Sequence, residues 1–205
     1  MKKTVLALAL VATTGAFANV KGGKIGMNFQ YGSNISSLGV WWHVIDMLAI
    51  NPYIGYSSST TKYTNITGGN GIGCGATAHC TRTDSSSTLV FGIDIPIYLV
   101  KFSAVDLFVA PAFSYSSKST SDKYENANNG QSIETKGTNP TYNFGLYLGL
   151  QIPILDQLHV FGKGGFEYSI TPYENPGTGS TNGNPDKTTT FSTTRYSVGA
   201  IFYFN

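Results

Sequence analysis

The feature that most constrains the fold is an alternation of apolar and polar residues that returns along most of the chain. A period of two residues predicts β-strands whose two faces meet different surroundings. The alternation is found near residues 23–31, 37–45, 48–58, 87–97, 105–116, 142–152, 158–170 and 195–204. The sequence therefore predicts an all-β chain of eight strands. Pro52 and Pro111 fall inside the third and fifth of them, where each indicates a bulge or a local break in pairing.

The connections between these segments differ in length. Those near 46–47, 98–104 and 153–157 are short, as is the first connection at 32–36. Those near 59–86, 117–139 and 172–188 are long and rich in Ser, Thr, Asn and Gly, which predicts mobile, solvated loops. Short turns on one side and long loops on the other are typical of outer-membrane β-barrels, whose short turns face the periplasm.

The N-terminus has the organisation of a secretory signal peptide. Lys2 and Lys3 precede an apolar run, VLALALV, and Ala16-Phe17-Ala18 matches an A-x-A cleavage pattern. The run is too short for a transmembrane helix, which needs about 20 residues. We expect residues 1–18 to be the signal peptide and residues 19–205 to form one β-barrel domain.

Composition narrows the class of protein. Charged residues make up 12% of the chain, about half the share in soluble domains. Lys2 and Lys3 account for the net charge of +2, and no basic cluster suggests nucleic acid as a partner. After the signal peptide no apolar stretch reaches the length of a membrane helix, so a membrane protein of this sequence would cross with strands.

The polar face of the last two predicted strands carries Lys163, Glu167 and Arg195. Burial of a basic group in the middle of a bilayer costs about 2–4 kcal/mol. The purely apolar face is therefore expected to look outward. Aromatic residues near the strand ends then suit the membrane interfaces. The alternative is that they are core residues of a soluble sandwich.

The chain resembles a known family, the small outer-membrane barrels of the OmpA-transmembrane, OmpX and OmpW kind. Three segments carry the resemblance: SLGVWWHVIDMLAINPYIGYS as a hairpin with a tight turn at Asp46, VDLFVAPAFSYS as a rising strand, and YSVGAIFYF as the C-terminal strand. Such chains usually end on the aromatic residue, whereas this one ends Phe204-Asn205.

The resemblance implies an eight-stranded antiparallel up-and-down transmembrane β-barrel in the outer membrane of a Gram-negative bacterium. It implies outer-membrane lipids and lipopolysaccharide as partners. It also implies that the assembly machinery reads the C-terminal strand. The long polar loops are candidates for contact with an extracellular partner.

The lumen of an eight-stranded barrel is just wide enough to be filled by side chains. Four charged residues are candidates for a polar network there: Asp94, Lys163, Glu167 and Arg195. We favour a closed network of ion pairs and hydrogen bonds that satisfies the polar interior. The alternative is a gate or a binding site in a narrow channel.

Cys74 and Cys80 lie close together in a Gly-rich segment. In the oxidising periplasm they favour a disulfide. A metal site that includes His79 is less favoured because no fourth ligand is visible and the spacing fits no zinc module. Free thiols are the third reading.

Enzymatic chemistry is not indicated. His159, Glu167 and Ser169 share one face of the seventh strand, but His159 and Ser169 are about 33 Å apart along an extended strand. They cannot form a triad, and His43 and His79 have no obvious partners. We predict no catalytic residue, cofactor or metal.

Two functions remain open. The first is a structural surface anchor that displays polar loops for adhesion or envelope integrity. The second is a narrow porin-like channel, or an OmpW-like conduit for small solutes. A weaker third reading is a soluble lipocalin-like barrel, which would be extracted without detergent.

Overall fold

The protein is described here from a computed structural model that covers residues 21–66, 80–102, 104–126, 128, 130–172 and 187–204. The expected signal peptide, Cys74 and His79 lie outside the described residues. The strands are β1 Ile25–Gly32, β2 Ile35–Ile45, β3 Leu48–Ile66, β4 Cys80–Asp94, β5 Ile97–Lys101, β6 Asp106–Asn126, β7 Ser132–Pro153, β8 Leu158–Pro172 and β9 Lys187–Phe204. Within these ranges no helix is long and apolar enough to cross a membrane.

The sheet closes into a ring. Its strands pair antiparallel with their neighbours, and β1 also pairs with β9, from Ile25 opposite Phe204 to Tyr31 opposite Val198. Strands β4 and β5 follow one another between the same two neighbours, β3 and β6, so they share one place in the ring. The predicted all-β, antiparallel arrangement of eight strands is therefore confirmed.

The two faces of the ring have opposite chemistry, as the alternation predicts. On β7, Leu146 and Leu148 point outward and are 53% and 58% exposed, whereas Gln151 points inward and is fully buried. The same parity holds on β1 and β9, where Phe29 and Phe202 are exposed and Tyr203 is buried. The outside is an apolar belt, and the polar groups of the strands face the lumen.

The two ends of the ring differ. We call the end with the β2–β3, β5–β6 and β7–β8 connections the turn end, and the opposite end the hairpin end. At the hairpin end, β1 and β2 are joined by Ser33 and Asn34, which both have positive φ (49° and 64°). Two such residues form the type of turn whose twist matches a tight hairpin. The wall of the ring, formed here by β1 and β2, is therefore low: these two strands end at the tight turn and extend no further towards the hairpin end.

On the opposite side the wall is high, and here the sequence-based prediction of loops is wrong. Paired strands continue through much of the predicted loops 59–86 and 117–139, with Ser59 opposite Ser86 and Ser86 opposite Thr120. We call residues 57–66, 80–88, 117–126 and 132–141 the extended sheet. Ser and Thr dominate both of its faces, so it lacks the apolar alternation that marks the other strands, although Thr itself suits a strand.

Two local predictions also change. The segment 98–104 is not simply a turn, because β5 occupies most of it and the Tyr98 side chain is fully buried. Pro52 does coincide with a gap in the β2–β3 pairing between Gly39 and Trp42. At Pro111, β6 continues without a break, and the interruption lies on the facing strand between β4 and β5.

The extended sheet makes a prediction for hydrogen exchange. Amides of residues 81–88 should be protected in the native protein, because β4 pairs there with strands on both sides. Ser86→Pro should remove this protection locally, since proline cannot donate to a ladder, while Ser86→Ala should retain it. Exchange followed by mass spectrometry measures both. Unprotected amides in the native chain would contradict an ordered sheet.

Candidate functional site: a closed lumen and its vestibule

An aromatic layer closes the lumen towards the turn end. Trp41, Phe108 and Phe161 project inward from three separate strands, and Trp41 and Phe108 are fully buried. The Trp41 ring centroid lies 5.1 Å from that of Phe161 and 6.1 Å from that of Phe108, the latter edge to face. Aromatic pairs in these geometries pack favourably.

A hydrogen-bonded layer lies against these rings. His43 Nε2 is 2.9 Å from the Tyr203 hydroxyl, and the Tyr98 hydroxyl donates to Gln151 Oε1 at 2.6 Å. Gln151 Nε2 is 2.8 Å from His159 Nδ1. All five side chains are fully buried. We call the two layers together the plug: Trp41, His43, Tyr98, Phe108, Gln151, His159, Phe161 and Tyr203.

The middle of the lumen holds a buried ion pair. Lys163 on β8 reaches across the lumen to the Asp94 carboxylate on β4, and their side chains are 6% and 1% exposed. Asn51 Nδ2 donates to the same carboxylate oxygen, Asp94 Oδ2, at 3.1 Å. The Lys163 ammonium also lies 5.1 Å from the centroid of the Tyr147 ring. Both charges are thus paired, as buried charges must be.

A second ion pair lies nearer the hairpin end. Arg195 Nε is 3.0 Å from Glu167 Oε1, with the Arg195 side chain 38% exposed. The Tyr147 hydroxyl donates to Glu167 Oε2 at 2.9 Å. The four charged residues singled out from sequence therefore lie on the inner wall in two pairs, Lys163 with Asp94 and Arg195 with Glu167. Tyr147 contacts a member of each pair and links them.

Above the ion pairs the lumen widens into a cavity of about 380 Å³. We call this cavity the vestibule. Its charged lining residues are Asp94, Lys118, Lys163, Glu167 and Arg195. Most of the remaining lining carries hydroxyl or amide groups: Gln30, Ser33, Ser37, Tyr53, Thr88, Ser114, Ser116, Thr141, Asn143, Tyr147, Ser169, Thr171, Thr190, Tyr196 and Ser197. The vestibule is thus a polar chamber with a charged floor.

The extended sheet beyond the vestibule carries its own ion pairs. Arg82 Nε lies 2.5 Å from Asp84 Oδ1, and this contact raises the pKa of Arg82. Lys123 contacts Glu125 and lowers the pKa of its carboxyl. Both pairs are exposed to solvent, where such interactions contribute little to stability. They do not define a reaction centre.

Other predicted groups are not assembled into a reactive site. Ser169 Oγ donates to Asn143 Oδ1 at 2.7 Å, and His159 is held in the plug by Gln151. The described residues contain no cluster of three or more His, Cys, Asp or Glu side chains able to hold a metal. Cys80 is buried at the start of β4. Its disulfide with Cys74 stays a prediction because Cys74 is outside the described residues.

Sequence reasoning missed the plug. The sequence indicates no partner for His43, yet its side chain contacts that of Tyr203, which is 160 residues away in the chain. The sequence pattern predicts a turn at Tyr98. The available signal is the alternation of side chains along each strand, which puts five of these residues on the inner face: Trp41, His43, Phe108, Gln151 and Tyr203. Parity alone does not give their height along the lumen, so it does not show that they meet.

No protein-family model matches the chain, and no curated protein matches its sequence. Solved structures do resemble its fold. CarO2 of Acinetobacter baumannii is 11% identical, with a TM-score of 0.38 over 88% of this chain and 98% of that one. A major outer membrane protein from Thermus thermophilus is 12% identical, with a TM-score of 0.48 over 88% and 99%. Ail, the attachment invasion locus protein of Yersinia pestis, is 10% identical, with a TM-score of 0.37 over 88% and 94%. At these values the likeness transfers no function.

The buried ion pair makes a prediction for stability. Lys163→Met should lower the free energy of unfolding by about 3–5 kcal/mol, because it leaves the buried Asp94 carboxylate without its partner. The double variant Asp94→Asn, Lys163→Met should recover most of this loss, since no buried charge remains. Urea unfolding of protein in detergent micelles, followed by tryptophan fluorescence, measures the difference. Equal destabilisation of the single and double variants would show that the charge pairing is not the cause.

Proposed function

We propose that this protein is a small integral outer-membrane β-barrel that anchors an ordered polar sheet at the cell surface and conducts no ions. The observation that carries the proposal is the combination of an apolar outer belt with a lumen closed by the plug. The hypothesis includes export by a cleaved signal peptide. It also includes insertion by the outer-membrane assembly machinery, which would read β9, the C-terminal strand.

The outer belt supports a membrane location. On β7 the apolar alternation runs from Tyr142 to Ile152, which matches the roughly 9–11 residues that a tilted strand needs to cross a bilayer. Exposed aromatic residues lie near both ends of the belt, with Tyr31 and Phe29 towards the hairpin end and Phe202 and Phe204 towards the turn end. Closure of the ring leaves no unpaired sheet edge in the belt, as spanning strands require.

The direction of insertion follows from the two ends of the ring. Outer-membrane barrels carry their longer connections outside the cell. The extended sheet would then stand on the outer surface, in contact with lipopolysaccharide headgroups at its base and with an extracellular partner above. Its Ser and Thr faces and exposed ion pairs suit a hydrated setting.

The closed lumen supports the anchor over the channel. Fully buried Trp41, Tyr98, Phe108 and Tyr203 fill the cross-section towards the turn end. An ion would have to displace this packed layer as well as the Lys163–Asp94 pair. The narrow channel or conduit remains the second candidate, favoured only by the vestibule at the hairpin end.

Single-channel recording tests the closed lumen. The refolded protein should give no discrete conductance steps in a planar bilayer. The double variant Trp41→Ala, Phe108→Ala should conduct, because it removes two buried rings from the plug. Trp42→Ala is the matched control, since Trp42 is the next residue on β2 and points outward; it should stay silent. A heat-modifiable gel shift verifies folding of each protein. Steps in the native protein that change on neutralising Lys163, Glu167 or Arg195 would favour the channel.

The membrane location has a separate test. Leu148→Arg should destabilise the protein in lipid vesicles by about 2–4 kcal/mol, because it places a charge near the middle of the proposed belt. Leu155→Arg should cost much less, since Leu155 is equally exposed but lies in the β7–β8 turn. Reversible unfolding from vesicles measures both. If the two variants are equally stable, or if the native protein is extracted without detergent, the belt does not face lipid.

A further inference from the structure

We propose that the vestibule is a binding site for a small, neutral, polyhydroxylated ligand of monosaccharide size. The site would be reached from the hairpin end. This inference does not rest on the proposed anchoring role, because a closed barrel and a weakly conducting one would both retain the chamber.

The shape of the vestibule suits a ligand. Its volume of about 380 Å³ lies at the lower end of the roughly 300–1,000 Å³ found for small-molecule pockets. The plug closes it below. The low β1–β2 turn and the high extended sheet leave it open above, on the side of Ser33. A small solute can therefore enter the vestibule from the hairpin end, but the plug stops it from crossing the lumen.

Polar atoms without a partner point to something beyond the protein itself. Gln30 is 8% exposed and Asp94 is 1% exposed. Gln30 Oε1 and Asp94 Oδ1 nevertheless have no hydrogen-bond partner within the described protein, and neither has Ser197 Oγ. All three residues line the vestibule. Buried polar atoms normally find partners. These atoms are shielded from solvent, so they would accept hydrogen bonds from a bound hydroxyl compound once their side chains turn towards the vestibule.

The side of the vestibule formed by β6, β7 and β8 already has its hydrogen bonds and would hold its shape. Asn143 Nδ2 donates to Ser114 Oγ at 3.1 Å, Ser169 Oγ donates to Asn143 Oδ1 at 2.7 Å, and the Thr141 and Thr171 hydroxyls lie 2.9 Å apart. These bonds connect β6, β7 and β8. The vestibule thus has a preorganised side formed by β6, β7 and β8, which limits the ordering cost of binding.

The charges select a neutral ligand. Asp94 and Glu167 are each paired with a cation, and the additional lining cation, Lys118, is exposed. A charged ligand would have to break one of these pairs or remain unpaired in the chamber, both of which are costly. Hydroxyl groups can donate to Gln30 and Asp94 and accept from Ser197 without disturbing them.

The test is a titration of the refolded full-length mature protein in a phosphocholine detergent, which avoids sugar headgroups. The probes are D-glucose, its cationic analogue glucosamine and its anionic analogue gluconate. Saturation-transfer NMR should give saturable glucose binding below about 50 mM, in the weak range expected for so few new hydrogen bonds. The two charged analogues should bind more weakly.

Two variants place the binding in the vestibule. Ser116→Trp should abolish it by filling the chamber, whereas Ser117→Trp should not, because Ser117 is the next residue on β6 and faces outward. Gln30→Met keeps the size of the side chain and removes its amide, and should weaken binding about fivefold; it serves as the test if Ser116→Trp does not fold. Absence of saturable binding, insensitivity to Ser116→Trp and Gln30→Met, or a preference for a charged analogue would each overturn the proposal. Channel silence or conductance has no bearing on these outcomes.

Discussion

The pairing of β1 with β9 is the constraint on which the rest of the structure depends. It joins the two ends of the sheet, from Ile25 opposite Phe204 to Tyr31 opposite Val198, and removes the edges that an open sheet would leave. Once the ring is closed, every side chain of a strand points either into the lumen or outward. The narrow interior holds only a few large apolar side chains, those of the plug, so most of the apolar side chains form the outer belt and most of the polar ones face the lumen.

The narrowness of the lumen then decides what the inner residues do. Side chains from strands that do not pair with each other meet in the lumen, which is how Lys163 on β8 contacts Asp94 on β4 and how His43 on β2 contacts Tyr203 on β9. Large rings fill the turn end and form the plug. Small hydroxyl residues towards the hairpin end leave the vestibule. The lumen is therefore closed towards the turn end and hollow towards the hairpin end, because the inward-facing side chains are large at the first and small at the second.

Much of this arrangement could be predicted from the sequence because strand parity is a local property. The outward faces of β1, β7 and β9 follow the predicted alternation, and the structure places Asp94, Lys163, Glu167 and Arg195 on the inner wall. The extended sheet could not be predicted in this way. Both faces of its strands carry polar residues such as Ser59, Ser86 and Thr120. No apolar period therefore distinguishes a paired strand from a loop there. Tyr98 was misplaced for a related reason, since the break at Ile95 and Pro96 resembles the end of a strand.

The sequence by itself determined the fold class, the number of strands in the ring and, in the segments with an apolar alternation, the face on which a residue lies. These follow from a period of two residues that can be read without any partner strand. Only the tertiary structure decided which inner residues meet. That depends on the register between strands, which sets the height of Trp41 relative to Phe108 and of Lys163 relative to Asp94. Register is fixed by backbone pairing between distant segments, so the closed plug and the open vestibule appear only when the ring is complete.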